Sequence, residues 1–278
     1  MPASIPETAR AAIARAAVQI ESETPRLDAE LLMAHALGVT RERLLLAHLD
    51  DATPPAFAPL LARRLAHEPI AYITASRAFW TIELTVGPGA LVPRADSETL
   101  LEAAVAPFGK EAPARILDLG TGPGTLLLAA LDQWPDAIGL GIDASEEALA
   151  YARANAKRLG KEGRATLQTG DWAGGVTGPF DLILANPPYI ATDASLPGEV
   201  RAHEPASALF AGADGLNAYR VLAPQIAPLL APGGIAAIEI GHTQAEAVSA
   251  LFAAPGLSVT VARDLGSRDR AIVLTWVN

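Results

Sequence analysis

The sequence contains no cysteine. Disulfides and thiolate chemistry are therefore excluded, and the composition fits a reducing compartment. Basic residues are also scarce: 21 Lys and Arg stand against 31 Asp and Glu, a formal charge of -10 at pH 7. The global field repels a phosphate backbone, although a local basic groove stays open. No apolar run reaches transmembrane length. The N-terminal stretch carries Glu7, Arg10 and Arg15 among alanines, without the apolar core of a secretory signal. Internal repeats and low-complexity tracts are missing as well. What is present is 278 residues, 50% hydrophobic and 19% charged, enough for one large or two modest domains. The expectation is a soluble, cytoplasmic protein.

The stretch that organises the chain is Asn186-Pro187-Pro188-Tyr189, which follows the apolar run Phe180–Ala185. The run reads as a buried parallel strand, and the prolines end it because neither can donate to a sheet ladder. Asn186 is left at the carboxyl end of the strand, the edge where open α/β sheets bind ligands. Its amide offers one acceptor and two donors, and Tyr189 offers a flat ring. Such a set suits a planar group bearing an NH2, with the Asn186 oxygen and the Pro187 carbonyl accepting both hydrogens. A plain strand-ending turn explains the tetrapeptide equally well, so the rest of the chain decides.

From about Glu7 to Leu65, apolar residues recur at helical spacing and predict a small helical domain suited to partner contact or lid formation. Thr24 caps a helix with Pro25 in its first turn and Gly38 at its end, and another helix spans about Pro55 to Ala66. Residues 68–94, with Tyr72, Ile73, Phe79, Trp80, Ile82, Leu84 and Val86, read as a linker hairpin. Arg94 reads as either a surface charge or a residue facing the cleft, the sequence alone favouring the surface, and Asp96 as the N-cap of a helix from about Ser97. His35, His48 and His67 are scattered and read as surface or packing residues, with no metal site.

Further on, strand Arg115–Leu119 runs into Gly120-Thr121-Gly122-Pro123-Gly124 and a helix. These glycines let a ligand approach the backbone, but their spacing disfavours the pyrophosphate of a dinucleotide. A second strand, Ile138–Ile142, ends at Asp143, about 20 residues beyond the loop, where a ribose diol is gripped; alternatively Asp143 or Ser145 caps the next helix. A third strand near 165–168 leads to Asp171, an acceptor for an adenine amino group, and Trp172, either a flank for the ring or core. Strands then follow at Ile235–Ile240, Leu257–Arg263 and Arg270–Trp276. Seven strands with interleaved helices predict a doubly wound, mostly parallel α/β sheet with a reversed edge strand.

With these motifs in hand, the chain resembles class I (Rossmann-like) S-adenosylmethionine-dependent methyltransferases, and within them the release-factor glutamine methyltransferases. Residues 25–30, 68–70, 91–98, 118–124, 186–190, 201–205, 211–215 and 233–241 carry the resemblance. It implies domains at 1–75 (helical, substrate-recognising), 76–110 (linker hairpin and helix) and 111–278 (methyltransferase). It further implies that Gly120, Thr121, Gly122, Pro123 and Gly124 hold the methionine part of the cofactor, Asp143 its ribose, and Asp171 and Trp172 its adenine. Asn186, counted also on the cofactor side, would act with Pro187, Pro188 and Tyr189 on the glutamine of a Gly-Gly-Gln segment in a peptide chain release factor, as an N5-methyltransferase. Pro123, Ala95 and Ala75 depart from the family pattern without removing a proposed ligand. A ribosomal-protein glutamine, the N6 of adenine in nucleic acid, and a non-catalytic cofactor-binding module are the alternatives. The acidic charge weighs against the nucleic acid.

Overall fold

The computed structural model describes residues 6–108 and 112–277, so the linker boundary expected at 110/111 lies outside the described residues. The chain divides into two compact units, residues 1–76 with 196–203, and residues 77–195 with 204–278.

The first unit is helical: α1 (Ala9–Gln19), α2 (Pro25–Leu37), the short α3 (Arg41–Arg43) with a wider turn behind it, α4 (Phe57–Leu65) and α5 (Ile70–Thr74), joined by the helix Gly198–His203. In α1 the buried residues Ala9, Ala12, Ile13 and Ala16 repeat at i, i+3, i+4, i+7 and form one apolar stripe. That stripe packs with Leu32, Met33, Leu44, Phe57 and Leu61. Gly38 ends α2 at φ 67, but Thr24 makes no side-chain bond to an amide of that helix and instead donates to Asp28 at 3.3 Å. Asp28 is buried because Arg64, also buried, bonds it at 2.9 Å. Glu30 is likewise buried, between Arg26 at 2.9 Å and Arg41 at 2.7 Å.

Tyr72 and Ile73 belong to α5 rather than to the expected hairpin, whose strands are only β1 (Arg77–Phe79) and β2 (Ile82–Leu84). A short run of β-branched and aromatic residues favours a strand only where a partner lies beside it; here both side chains are buried in the helix. Ala75, which closes that helix, is left-handed at φ 54, a conformation in which Cβ is strained.

The second unit is a sheet flanked by helices. After a tight turn at Ala95–Ser97 come α6 (Glu98–Phe108), β3 (Arg115–Leu119), α7 (Thr125–Gln133), β4 (Ile138–Asp143), α8 (Glu146–Arg158), β5 (Ala165–Thr169), β6 (Phe180–Ala185), α9 (Asn217–Ile226), β7 (Leu230–Glu239), α10 (Ala245–Phe252), β8 (Leu257–Arg263) and β9 (Asp269–Trp276). Seven strands run in the order β5-β4-β3-β6-β7-β9-β8, parallel from β5 to β7. The reversed strand is β9, antiparallel to both neighbours and second from the edge, not at the edge. The apolar run Ala271 to Leu274 suits a strand covered on both sides. Ser258 and Thr260 suit the β8 edge. Asp96 does not cap α6; it lies in the turn before it and pairs with Arg270 at 3.0 Å. No helix among the described residues is long and apolar enough to cross a membrane.

Candidate active site

Strand register brings the separate motifs to one edge. Leu119 stands opposite Ile142 on one side and Ala185 on the other, so Gly120, Asp143 and Asn186 emerge side by side. Asp143 in turn stands opposite Thr169, which delivers Asp171 and Trp172 to the same rim. Between β3 and β6 the sheet changes its direction of growth, and such a switch point leaves a crevice above the carboxyl ends of the strands. A cleft opens there, lined among others by Gly120, Thr121, Gly122, Pro123, Asp143, Asp171, Trp172, Asn186 and Pro188.

The loop after β3 is held by two amides, those of Gly120 and Thr121, which both donate to the Ile142 carbonyl at 2.9 Å. Gly122 is left-handed at φ 56, and a Cβ there would meet nothing within 4 Å, so its backbone faces open space. Gly124 is different. It precedes α7 at φ 87, where a Cβ would lie 2.7 Å from Leu128 and 3.5 Å from the Ala152 Cα, and it is not among the lining residues. It allows close helix packing. The Pro123 carbonyl accepts from the buried Asn155 amide at 3.0 Å, which ties the loop to α8.

Asp143 accepts from the Gly122 amide at 2.7 Å on one oxygen and from the Ser145 amide at 2.8 Å on the other. Each oxygen keeps lone-pair capacity for a further donor. Ser145 is the residue that caps α8, accepting from Ala148 at 3.1 Å. Behind the loop lies Asp118, fully buried yet lining the cleft. One of its oxygens accepts from the Thr121 hydroxyl at 2.6 Å and the Leu127 amide at 3.1 Å; the other, Oδ1, has no partner. Burial pushes its carboxyl up to about 7, against the pull of those two bonds and with the nearby Asp143 charge adding to the rise. Trp172 sits at φ 50 and lays its ring beside Gly120, where a Cβ would come within 3.5 Å of it.

The Asn186 side chain donates through Nδ2 to Ser97 Oγ at 3.0 Å. Ser97 donates to Glu239 Oε2 at 2.5 Å, and the Tyr189 hydroxyl reaches Glu239 Oε1 at 3.3 Å. Tyr189 thus points its hydroxyl to β7, and neither it nor the buried Pro187 is among the cleft-lining residues. Arg94 is not a free surface charge. It lines the cleft and bonds Glu204 at 2.5 Å.

The sequence alone does not single out Asp118, Ser97 and Glu239 as site residues, and it offers the cleft for Arg94 only as the less favoured reading. Two of them left a signal, because Asp118 and Glu239 are charges between apolar neighbours, Leu117 and Leu119 for the one and Ile238 and Ile240 for the other, and a buried charge needs a reason.

A sheet of this order, with a glycine loop after β3, an acid at the tip of β4 and a cleft at the switch point, defines a class I S-adenosylmethionine-dependent methyltransferase domain. The donors fit that cofactor. An unpartnered buried carboxylate oxygen matches an ammonium group, Asp143 matches a diol, and the Gly122 backbone leaves room for a chain to pass. Comparison with known proteins agrees: residues 110–254 match a family model described as a methyltransferase domain, and residues 8–74 match the PrmC N-terminal domain. The chain is 46% identical to the release factor glutamine methyltransferase of Rhodospirillum rubrum over 90% of this chain and 79% of that one. It is 44% identical to the Caulobacter vibrioides enzyme of the same name over 90% of this chain and 89% of that one. A methyltransferase from Pyrococcus furiosus shares the fold at a TM-score of 0.52 and 19% identity, over 78% of this chain and 98% of that one. The chain belongs to the release factor glutamine methyltransferase family.

Proposed function

We propose that this protein transfers the methyl group of S-adenosylmethionine to the side-chain amide nitrogen, N5, of the glutamine in the Gly-Gly-Gln segment of peptide chain release factors. The observation that carries the reading is the position of Asn186: a fixed primary amide, at the switch point, beside the glycine loop. The cofactor, when bound, supplies an electrophilic methyl group on a positively charged sulfur. Gly120, Thr121, Gly122 and Pro123 would line its methionine part, with Gly124 shaping the loop. Asp118 would hold its ammonium, Asp143 its ribose, and Asp171 with Trp172 its adenine.

On the substrate side the task is to make a poor nucleophile react. An amide lone pair is delocalised, so the nitrogen must be held facing the methyl and allowed to pyramidalise. Asn186 Oδ1 and the Pro187 carbonyl accept the two N–H hydrogens and fix that direction, Pro188 walls the cleft, and Tyr189 secures the turn. No general base is required before transfer, because the alkylated nitrogen becomes acidic and loses its proton afterwards. Residues 1–75 recognise the release factor, 76–110 link, and 111–278 perform the transfer in the cytoplasm. The charge of -10 supports a protein partner over direct nucleic-acid contact.

The test is methyl transfer from labelled S-adenosylmethionine to a purified bacterial release factor, beside a variant whose Gly-Gly-Gln glutamine is alanine. Label on the first protein alone is the expected result. Label on both rejects the Gly-Gly-Gln glutamine as the site, and label on neither while the cofactor binds rejects this substrate in favour of ribosomal proteins or adenine.

A further inference from the structure

A primary amide has a hydrogen-bonding sense. If Asn186 presents its NH2 to the cleft instead of its oxygen, it repels the N–H hydrogens it is meant to accept, so something must fix the flip. The structure contains a chain of bonds that does so, running from Asn186 Nδ2 to Ser97 Oγ at 3.0 Å and from Ser97 to Glu239 Oε2 at 2.5 Å. Ser97 and Glu239 are both nearly inaccessible, at 2% and 1% exposure, so water does not compete for these bonds. A serine hydroxyl has one hydrogen. When Glu239 is a carboxylate it can only accept, so Ser97 must spend its hydrogen on Glu239 and receive one from Asn186. Only Nδ2 can give it. The Asn186 oxygen is then forced to the other side, into the cleft.

We infer that Ser97 and Glu239 are positioning residues whose bonded chain fixes the sense of the Asn186 amide and thereby sets turnover. This rests on the glutamine-amide reading above. Glu239 is surrounded by the Ser97 and Tyr189 hydroxyls, by Tyr219, whose hydroxyl donates to the Glu239 main-chain oxygen at 2.9 Å, by Arg270 from β9 and by Asp96 from the turn before α6. Burial dominates this set and pushes the carboxyl up to about 7, with Asp96 adding to the rise while Ser97, Arg270 and Tyr189 oppose it. Protonated Glu239 can donate to Ser97, which is then free to donate to Asn186 and turn the amide over. The chain works in its ionised form, so turnover falls as pH drops through the Glu239 titration.

The experiment measures kcat and KM on a whole release factor at saturating S-adenosylmethionine from pH 5.5 to 9, with cofactor affinity by calorimetry, for wild type, Ser97→Ala, Ser97→Thr and Glu239→Gln. Turnover by the wild type establishes the substrate reading independently; without it that reading fails first. Given turnover, Ser97→Ala is expected to lose about 100-fold in kcat with cofactor affinity unchanged, and Ser97→Thr, which keeps the hydroxyl, to recover most of it. Glu239→Gln is expected to lose the acid limb of the wild-type profile. A loss in Ser97→Ala smaller than tenfold, or an acid limb that persists in Glu239→Gln, overturns the inference. Should Ser97→Ala fail to fold, the side-chain amide signals of Asn186 in 15N-asparagine-labelled wild type decide. A shift with pH near 7 that is lost in Glu239→Gln supports the chain, and pH-independent signals overturn it.

Discussion

Replacing Asp118 by asparagine in the cofactor-free protein is expected to change the sign of its effect with pH. Burial, with the Asp143 charge adding to the rise, pushes the Asp118 carboxyl up to about 7 in the fold against an ordinary value of 3.8. A folded-state value raised above the unfolded one means that the fold binds the proton more tightly. The group's contribution is therefore fully present below about pH 3.8 and is lost as pH rises through about 7. At about 1.4 kcal/mol per pH unit, ionising Asp118 costs the fold about 4 kcal/mol. Asparagine avoids that cost, since its oxygen still accepts from Thr121 and Leu127. Its NH2, however, brings one donor more than a protonated carboxyl, and an unsatisfied buried donor costs about 1–3 kcal/mol. Asp118→Asn is thus less stable than wild type by about 1–3 kcal/mol below pH 4 and more stable by a similar amount above pH 7. The curves cross between. Urea or thermal unfolding of both proteins from pH 3.5 to 8 measures this, and calorimetry is expected to find cofactor affinity greatly weakened in the variant. Parallel stability curves, or a variant less stable than wild type at pH 8, refute the argument.

Asn186→Ala is expected to lower kcat by about 100-fold or more while leaving the cofactor dissociation constant within a few-fold, because the lost acceptor acts on the substrate nitrogen. Equal turnover, measured with a release factor, sinks that role. Asp143→Asn removes the charge and sets an NH2 against the Gly122 or the Ser145 N–H, so cofactor affinity by calorimetry is expected to fall about 10- to 100-fold with kcat at saturation little changed. Ala75→Gly relieves the left-handed residue at φ 54 that closes α5 and is expected to stabilise the protein by up to about 1 kcal/mol in urea unfolding. A loss of stability there shows that α5 needs the Cβ.

The strands Arg115–Leu119, Phe180–Ala185 and Leu257–Arg263 were legible to the residue, because each is a local β-forming run stopped by glycine, proline or a polar turn. The positions of the glycine loop and Asp143 at the strand ends follow for the same reason, the loop lying directly after β3 and Asp143 closing β4. The chain through Ser97 was not. Ser97 reaches Glu239, 142 positions away, and Asn186, 89 positions away, and nothing local distinguishes it from any serine near a helix start. For Arg94 the sequence favours the surface over the cleft, since its partner, Glu204, lies 110 positions further on. Tyr72 and Ile73 show the opposite failure, a real local preference overruled by burial in a helix. The placement of β9 inside the sheet was within reach, as its apolar run is unbroken while β8 alternates with serine and threonine.

Two buried acids, each raised to about 7, do different work. Asp118 lines the cleft with an unpartnered oxygen, so the penalty for ionising it is offset when a cationic ligand arrives; the energy is stored until binding and released as affinity. Glu239 is linked to the Asn186 side chain through Ser97, and its ionisation is opposed by burial. What its charge secures is the sense of one amide. Both groups stabilise the fold when protonated and serve the proposed chemistry when ionised, so stability and turnover are expected to move in opposite directions as pH rises toward 7 and beyond. The cost falls on two strands of one sheet, β3 and β7, that flank β6, the strand carrying Asn186. Those neighbours hold β6 by parallel ladders on both sides, which lets the sheet keep two charges in its interior without losing the register that aligns the site.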